Sequence, residues 1–277
     1  MITLYKVAGI SKQAVSQQAK RDSCFQAQAL ELIQEADHLR EEHPGCGVEK
    51  MYFTLKPDLL GRDRFVDLFM DLGYRVRRTK NYHRTTFPGH ISYPNLIKGM
   101  QIDGPSTIWQ SDITYIRVGQ RFYYAVFIID VYSKIIVGYD VSDNMRAEAN
   151  MRALRMALKK FKPPEIHHSD RGKQYIYNKY IEMLNKNQCE ISMSKTAQDN
   201  AYAERINLTI KDEYLKHWEI KSYNQLKSAV QKAVYNYNNK RNHDSLGRIT
   251  PMGFFKQWQT ISVEERKTIT IFDNGTN

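Results

Sequence analysis

Three acidic residues stand where their surroundings make a negative charge expensive. Asp112 lies inside the apolar run IWQSDITYIRV, flanked by Trp109, Ile113, Tyr115 and Ile116, and Asp170 ends the segment EIHHSD just before Gly172. A charge in such a place must be paired, hydrogen-bonded or metal-bound. Strand ends of open α/β sheets are where sites are usually built, and Gly172 lets the backbone turn away from a carboxylate aimed into a cleft. The third acid follows from helical geometry. After Ser194, Tyr202, Ile206 and Ile210 recur every four residues as a packed stripe. Glu204 and Lys211, seven apart, share another stripe that drifts only about 20° per heptad. Glu204 therefore faces away from the core, with a cation two turns along that can hold a phosphate.

Carboxylate oxygens are hard ligands suited to Mg²⁺ or Mn²⁺. Two such ions about 3.5 to 4 Å apart activate an attacking oxygen and stabilise a leaving one in phosphodiester chemistry. The alternative for any one of these acids is a buried salt bridge or a helix cap, and for Asp112 alone the two readings weigh evenly; three together in a basic chain favour catalysis. Asp130, at the end of the next strand, either assists in the same cleft or bonds the turn VYSK. His167 and His168 alternate across a strand, so at most one faces the site, and a hydrogen-bonded structural role suits either. Asp199 or Asn200 can cap the helix of Glu204.

These residues need a sheet and helices to bring them together. IWQSDITYIRV and RFYYAVFIIDVYS are joined through Gly119 and Gln120 as a hairpin, and KIIVGYDV continues as a third strand. The second run is nearly all apolar, which places it in the middle of a sheet, buried on both faces. Then follow a helix over RAEANMRALRMALKKF stopped by Pro163-Pro164, a short strand EIHHSD, a helix NKYIEMLNKN, a fifth strand CEISMS and a long helix DNAYAERINLTIKDEYLKHW. The order is that of a ribonuclease H-like α/β fold, a mixed five-stranded sheet with flanking helices. A last helix, YNQLKSAVQKAVYNYNNKR, leads to a tail with no assigned core.

Ahead of the sheet, residues 1–87 read as a small all-helical region. Gly9 separates two short helical stretches, with Ser11 as N-cap of the second. VEKMYFTL and RDRFVDLFMDLG make a helix pair closed by Gly73, the shape of a helix-turn-helix unit. In YRVRRTKNYHR, Arg75, Arg77, Arg78, Lys80 and Arg84 alternate with Tyr74 and Tyr82, so cations can meet phosphates while rings stack on bases. Residues 88–104 read as a linker, 105–220 as the catalytic core and 221–277 as a C-terminal helix and tail.

Composition narrows the function classes. The 277 residues are 42% hydrophobic, enough for one cored domain and a smaller one, and 41 Lys and Arg against 30 Asp and Glu give a formal charge of +11. Spread along the chain, that charge points to a polyanion, nucleic acid foremost. No run approaches the length of a membrane span, and the N-terminus lacks the apolar core of a signal peptide, which points to the cytoplasm. Cys24, Cys46 and Cys189 are three and far apart, leaving no disulfide framework and no CxxC zinc site. His83 and His90 have no cysteine pair to complete one.

At WQSDITYI, FIIDVYSKIIVGYDV, HHSDRGKQY, DNAYAERINLTIKDEY and YNNKRNHDSLGRITPMGFF the chain resembles the integrase-core transposases encoded by the second reading frame of many bacterial insertion sequences, relatives of retroviral integrases. The likeness covers most of residues 105–256, and HPGCGVEKMYFTL through GYRVRR resembles their upstream helix-turn-helix region. It implies that Asp112, Asp170 and Glu204 are DDE metal ligands for two Mg²⁺ or Mn²⁺ ions and that Lys211 is the basic residue two turns past the glutamate. It further implies double-stranded DNA as partner, a homo-oligomer on that DNA, and an upstream-frame helix-turn-helix product fused or bound to this one. Only 33 residues lie between Asp170 and Glu204, slightly short of the usual interval, with the gap falling in SKTAQDNAYAE. The zinc-binding N-terminal module of the retroviral relatives has no counterpart. A metal-dependent nuclease without strand transfer and a non-catalytic DNA-binding regulator are the two rival functions.

Overall fold

The computed structural model describes residues 9, 11–76 and 92–272. The chain divides into two compact units, Met1–Arg77 and Arg78–Asn277.

In the first unit, α1 runs from Lys12 to Glu42, α2 from Val48 to Leu55 and α3 from Arg62 to Asp71. Ser11 caps α1, its side chain accepting from the Ala14 amide at 3.0 Å. The helix it starts is 31 residues long rather than a short stretch, and only Leu32, Ala36 and Leu39 are buried. Its first half thus receives no sequence-visible packing stripe. The stretch before Gly9 lies outside the described residues. Phe65 and Phe69, one turn apart on α3, stack at 4.2 Å between ring centres and fill the core with Met51, Val48 and the end of α1. Gly73, at φ +86°, ends α3 in the left-handed conformation that glycine adopts without strain.

The second unit is built on five strands: β2 (Ile108–Val118), β3 (Arg121–Asp130), β4 (Ile136–Ser142), β5 (Ile166–Ser169) and β6 (Glu190–Met193). They lie in the order β4-β3-β2-β5-β6, with β2, β3 and β4 antiparallel and β5 and β6 parallel to β2. The apolar β3 is an interior strand as its composition requires, but the centre belongs to β2, the strand of Asp112. Four helices complete the layers: α4 (Ala147–Lys160), α5 (Asn178–Lys186), α6 (Ala201–Glu213) and α7 (Tyr223–Asn239). One sheet face packs against α4 and α5 through Trp109, Val126, Ile128, Leu154 and Leu184; the other packs against α6 and α7 through Phe127, Ile206, Ile210 and Val230. Gly138 permits the approach of α4, since a Cβ there would stand 2.3 Å from the Ala153 carbonyl oxygen.

The tail packs as well. Thr250 caps α8 (Pro251–Trp258), and β7 (Ile269–Thr270) pairs antiparallel with β1 (Gln101–Ile102). Ile97, Ile102 and Ile271 are buried together with Val131, and the Trp258 indole donates to the Asp103 carbonyl at 3.0 Å. The segment before the sheet and the tail after it, neither of which reads as core from composition, cover each other.

Candidate active site

Asp112 occupies the middle of β2, half-buried, opposite Phe127 of β3. Strand alternation turns Gln110, Asp112 and Thr114 toward α6, while Trp109, Ser111 and Ile113 face the other layer. Asp170 follows the last residue of β5, and β5 pairs in parallel with the segment of β2 that ends at Ser111, so the two acids leave the sheet at the same level. Asp170 Oδ1 accepts from the Gly172 amide at 3.0 Å, and a Cβ on Gly172 would stand 2.9 Å from that oxygen. Gly172 is there to let a carboxylate lie against the backbone, its φ being ordinary. Glu204 sits in the first turn of α6 and is exposed, as its helical stripe requires.

The three carboxyls share one field. Burial pushes Asp112 well above the ordinary range, and the charges of Asp170 and Glu204 push it further. Asp170 is raised by burial, and Glu204 by burial and then by the charge of Asp170. Asn207, one turn past Glu204, donates to Asp112 Oδ2 at 2.7 Å. Lys211 donates to the Thr114 hydroxyl at 3.2 Å; burial lowers its pKa, Lys216 adds to the lowering, and Asp212 and then Asp112 oppose it. Among the described residues no three His, Cys, Asp or Glu side chains are spaced to hold one metal ion. In donor chemistry and mutual repulsion the three acids nevertheless fit divalent cations, which would neutralise the charge that raises their pKa values.

Several other expectations meet definite geometry. Asp130 bonds two loops: Oδ1 accepts from the Ser133 amide and hydroxyl in the turn after β3 at 2.7 and 2.6 Å, and Oδ2 from the Ser106 amide just before β2 at 2.6 Å. His167 pairs with the Tyr180 hydroxyl at 3.0 Å and His168 with Ser192 at 2.8 Å, both deep in the sheet. Neither Asp199 nor Asn200 caps α6. Asp199 accepts from the Lys195 and Thr196 amides to close the preceding 3-10 turn, and Asn200 donates to the Ser111 carbonyl. Arg75 is exposed; Arg77, Arg78, Lys80 and Arg84 lie outside the described residues.

Sequence reasoning missed Asn207, Gln110 and Tyr175. Asn207 carries a signal, being three residues from Glu204 and thus on the same side of the helix. Tyr175 hydrogen-bonds Ser111 at 2.9 Å and so ties the turn of Asp170 to the strand of Asp112, a contact across 64 residues that no local pattern announces.

A mixed five-stranded sheet in the order β4-β3-β2-β5-β6 with helices on both faces is the architecture of an integrase core. The Integrase core domain family matches residues 103–198 and again 185–251. The chain is 32% identical over 212 residues to the 31 kDa protein of insertion element IS600 from Shigella sonnei, covering 74% of this chain and 78% of that one. It is 35% identical over 150 residues to the transposase of insertion sequence IS629 from the same organism, 53% of this chain and 51% of the relative. The HTLV-2 integrase catalytic core domain, solved in complex with magnesium, is 19% identical with a TM-score of 0.47, covering 55% of this chain and 97% of that chain. The chain belongs to the bacterial insertion-sequence transposases that carry an integrase core domain.

Proposed function

We propose that this chain cuts a phosphodiester of its element's ends and joins the freed 3′ end to a second DNA strand, with Asp112, Asp170 and Glu204 as ligands of two divalent ions, Mg²⁺ or Mn²⁺. The observation that carries this reading is geometric: Asp112 lies one residue past Ser111 of β2, Asp170 one residue past Ser169, its parallel partner on β5, and the helix of Glu204 is tied to Asp112 by the 2.7 Å bond from Asn207. Water attacks phosphorus in the first step, leaving a 3′-hydroxyl and a 5′-phosphate. That hydroxyl attacks a target phosphodiester in the second, releasing another 3′-hydroxyl. No covalent enzyme intermediate is needed. Bound ions supply activation of the attacking oxygen and stabilisation of the leaving one.

The chain's own residues hold and orient. Asn207 fixes the rotation of the Asp112 carboxylate through its 2.7 Å hydrogen bond. Lys211, whose ammonium rests on Thr114, offers a cation to a phosphate beside the acids. Double-stranded DNA is the partner this reading requires, a homo-oligomer is the assembly it places on that DNA, and an upstream-frame helix-turn-helix product is a further partner it allows.

The test uses DNA carrying the flanking repeats of the gene, with Mg²⁺ or EDTA. Asp112→Asn, Asp170→Asn and Glu204→Gln should each abolish strand cleavage, by at least about 100-fold, with DNA binding largely kept, because loss of a ligand charge leaves the basic surface intact. Cleavage near the wild-type rate removes that residue from the site. Cut ends never joined to target DNA would leave a nuclease.

A further inference from the structure

The start of α6 lacks the cap its own sequence offers. The first N–H groups of a helix have no partner within it, and the residue just before the helix usually supplies one. Asn200 holds that position and makes no such bond. The partner comes instead from β2, where Gln110 Oε1 accepts from the Ala203 amide and Gln110 Nε2 donates to the Asp199 carbonyl, both at 3.3 Å. Gln110 is 0% exposed, so it touches neither solvent nor a substrate, and its buried amide is satisfied by these two contacts. It stands two residues before Asp112 on the same strand face, and Ala203 immediately precedes Glu204. Two further contacts hold the same turn: Asn200 donates to the Ser111 carbonyl at 3.1 Å, and the Lys134 ammonium lies 4.0 Å from the centre of the Tyr202 ring.

We propose that Gln110 is a positioning residue for Glu204, docking the first turn of α6 on β2 and so setting the separation between the acid on the helix and the acid on the strand. This rests on the reading that Asp112, Asp170 and Glu204 hold divalent ions. A helix cap drawn from its own flanking residues would stabilise α6 without fixing it relative to the sheet. A cap drawn from β2 does both, and it works through a side chain that is sealed from the reaction.

The experiment is calorimetric titration of the full chain with Mn²⁺ in the absence of DNA, on the wild type, Gln110→Met, Glu204→Gln, the double variant of these two, and Asp112→Asn. Methionine keeps the length and loses both hydrogen bonds. Gln110→Met should weaken Mn²⁺ binding about 10-fold, the scale typical of residues that orient a ligand. Added to Glu204→Gln it should weaken binding no further, because Gln110 acts through Glu204. Circular dichroism checks folding. If the methionine variant does not fold, Gln110→Asn, which keeps the amide but is one methylene short of both partners, replaces it with the same expectation; if neither folds, Gln110 is a fold residue and the proposal falls. A folded variant with wild-type affinity, or an equal loss in both backgrounds, overturns it. Failure of the underlying metal reading looks different: Asp112→Asn would then bind Mn²⁺ as tightly as the wild type, and both inferences would go together.

Discussion

His167 and His168 lie side by side on β5 and point to opposite faces, yet neither can take a proton without cost. Burial lowers His167 to about 3, with His168 beside it adding to the effect, and burial lowers His168 to about 4. Both folded-state values lie below the unfolded value of roughly 6.5. The stability these neutral rings allow is therefore fully present above pH 6.5 and is lost as pH falls below it toward the folded values. At pH 5 the loss is about 2 kcal/mol for each ring. The melting temperature of His167→Gln should fall less between pH 7 and pH 5 than that of the wild type, the carboxyls being common to both; an equal fall would mean the ring is protonated in the fold. In the sequence Asp112 and Asp170 draw attention because an acid beside apolar residues needs an explanation, and Glu204 does so through the helical stripe it shares with Lys211. Gln110 and Asn207 do not, because a polar residue beside an acid is unremarkable until its partner, 93 or 95 residues away, is known.

At the scale of elements, the five strands of the sheet were legible because alternation, apolar runs and turn residues are local signals. β1 and β7 were not, since two-residue strands carry no periodicity and their pairing joins Gln101 to Thr270 across most of the second unit. The cross-links between distant elements are equally hidden. Asn238 of α7 both accepts from and donates to the Ile136 backbone, at 2.9 and 3.0 Å, beside the register shift between β3 and β4. Just past α7, Arg241 grips Glu213 at the end of α6 with two hydrogen bonds of 2.6 and 2.8 Å, the side chains only 9% and 17% exposed. Burial opposes the charge of Arg241, but the two bonds from Glu213 and its charge raise the guanidinium pKa overall. Removing Arg241 takes from the Glu213 carboxylate its buried cation and both of these hydrogen bonds. Arg241→Met should therefore cost about 3 to 5 kcal/mol in urea denaturation, and Arg241→Lys should recover only part of it, an ammonium being unable to match the planar two-point contact. A loss below about 1 kcal/mol for Arg241→Met, the scale of an exposed pair, would show that Glu213 reaches water in its absence.

For the molecule as a whole, the positive charge that suggested a nucleic-acid partner is unevenly divided. Residues 92–272 carry 27 Lys and Arg against 18 Asp and Glu, whereas residues 11–76 carry 9 against 11. The second helix of the helix-turn-helix-like pair, α3, exposes Asp63, Asp67 and Asp71 at four-residue intervals; Asp63 is paired with Arg62 at 2.8 Å, and the other two acids weigh against phosphates where a recognition helix would meet them. The cations expected to grip DNA ahead of the core are thus the four of residues 77–91, namely Arg77, Arg78, Lys80 and Arg84, which no acid accompanies, rather than the helices themselves. Salt dependence separates the two, because each phosphate neutralised adds about 0.9 to the slope of log affinity against log salt. A chain shortened to begin at Arg77 should bind end DNA with a slope within about one of the full-length value, Arg75 being the one cation of YRVRRTKNYHR it loses. A chain beginning at Ser92 should lose a further 3 to 4 in slope, roughly four contacts at 0.9 each, while its integrase core still folds. Fluorescence anisotropy across a KCl series measures all three. If most of the slope disappears on removing residues 1–76, the helical unit holds the DNA despite its acids; if neither deletion changes it, the grip belongs to the catalytic unit alone.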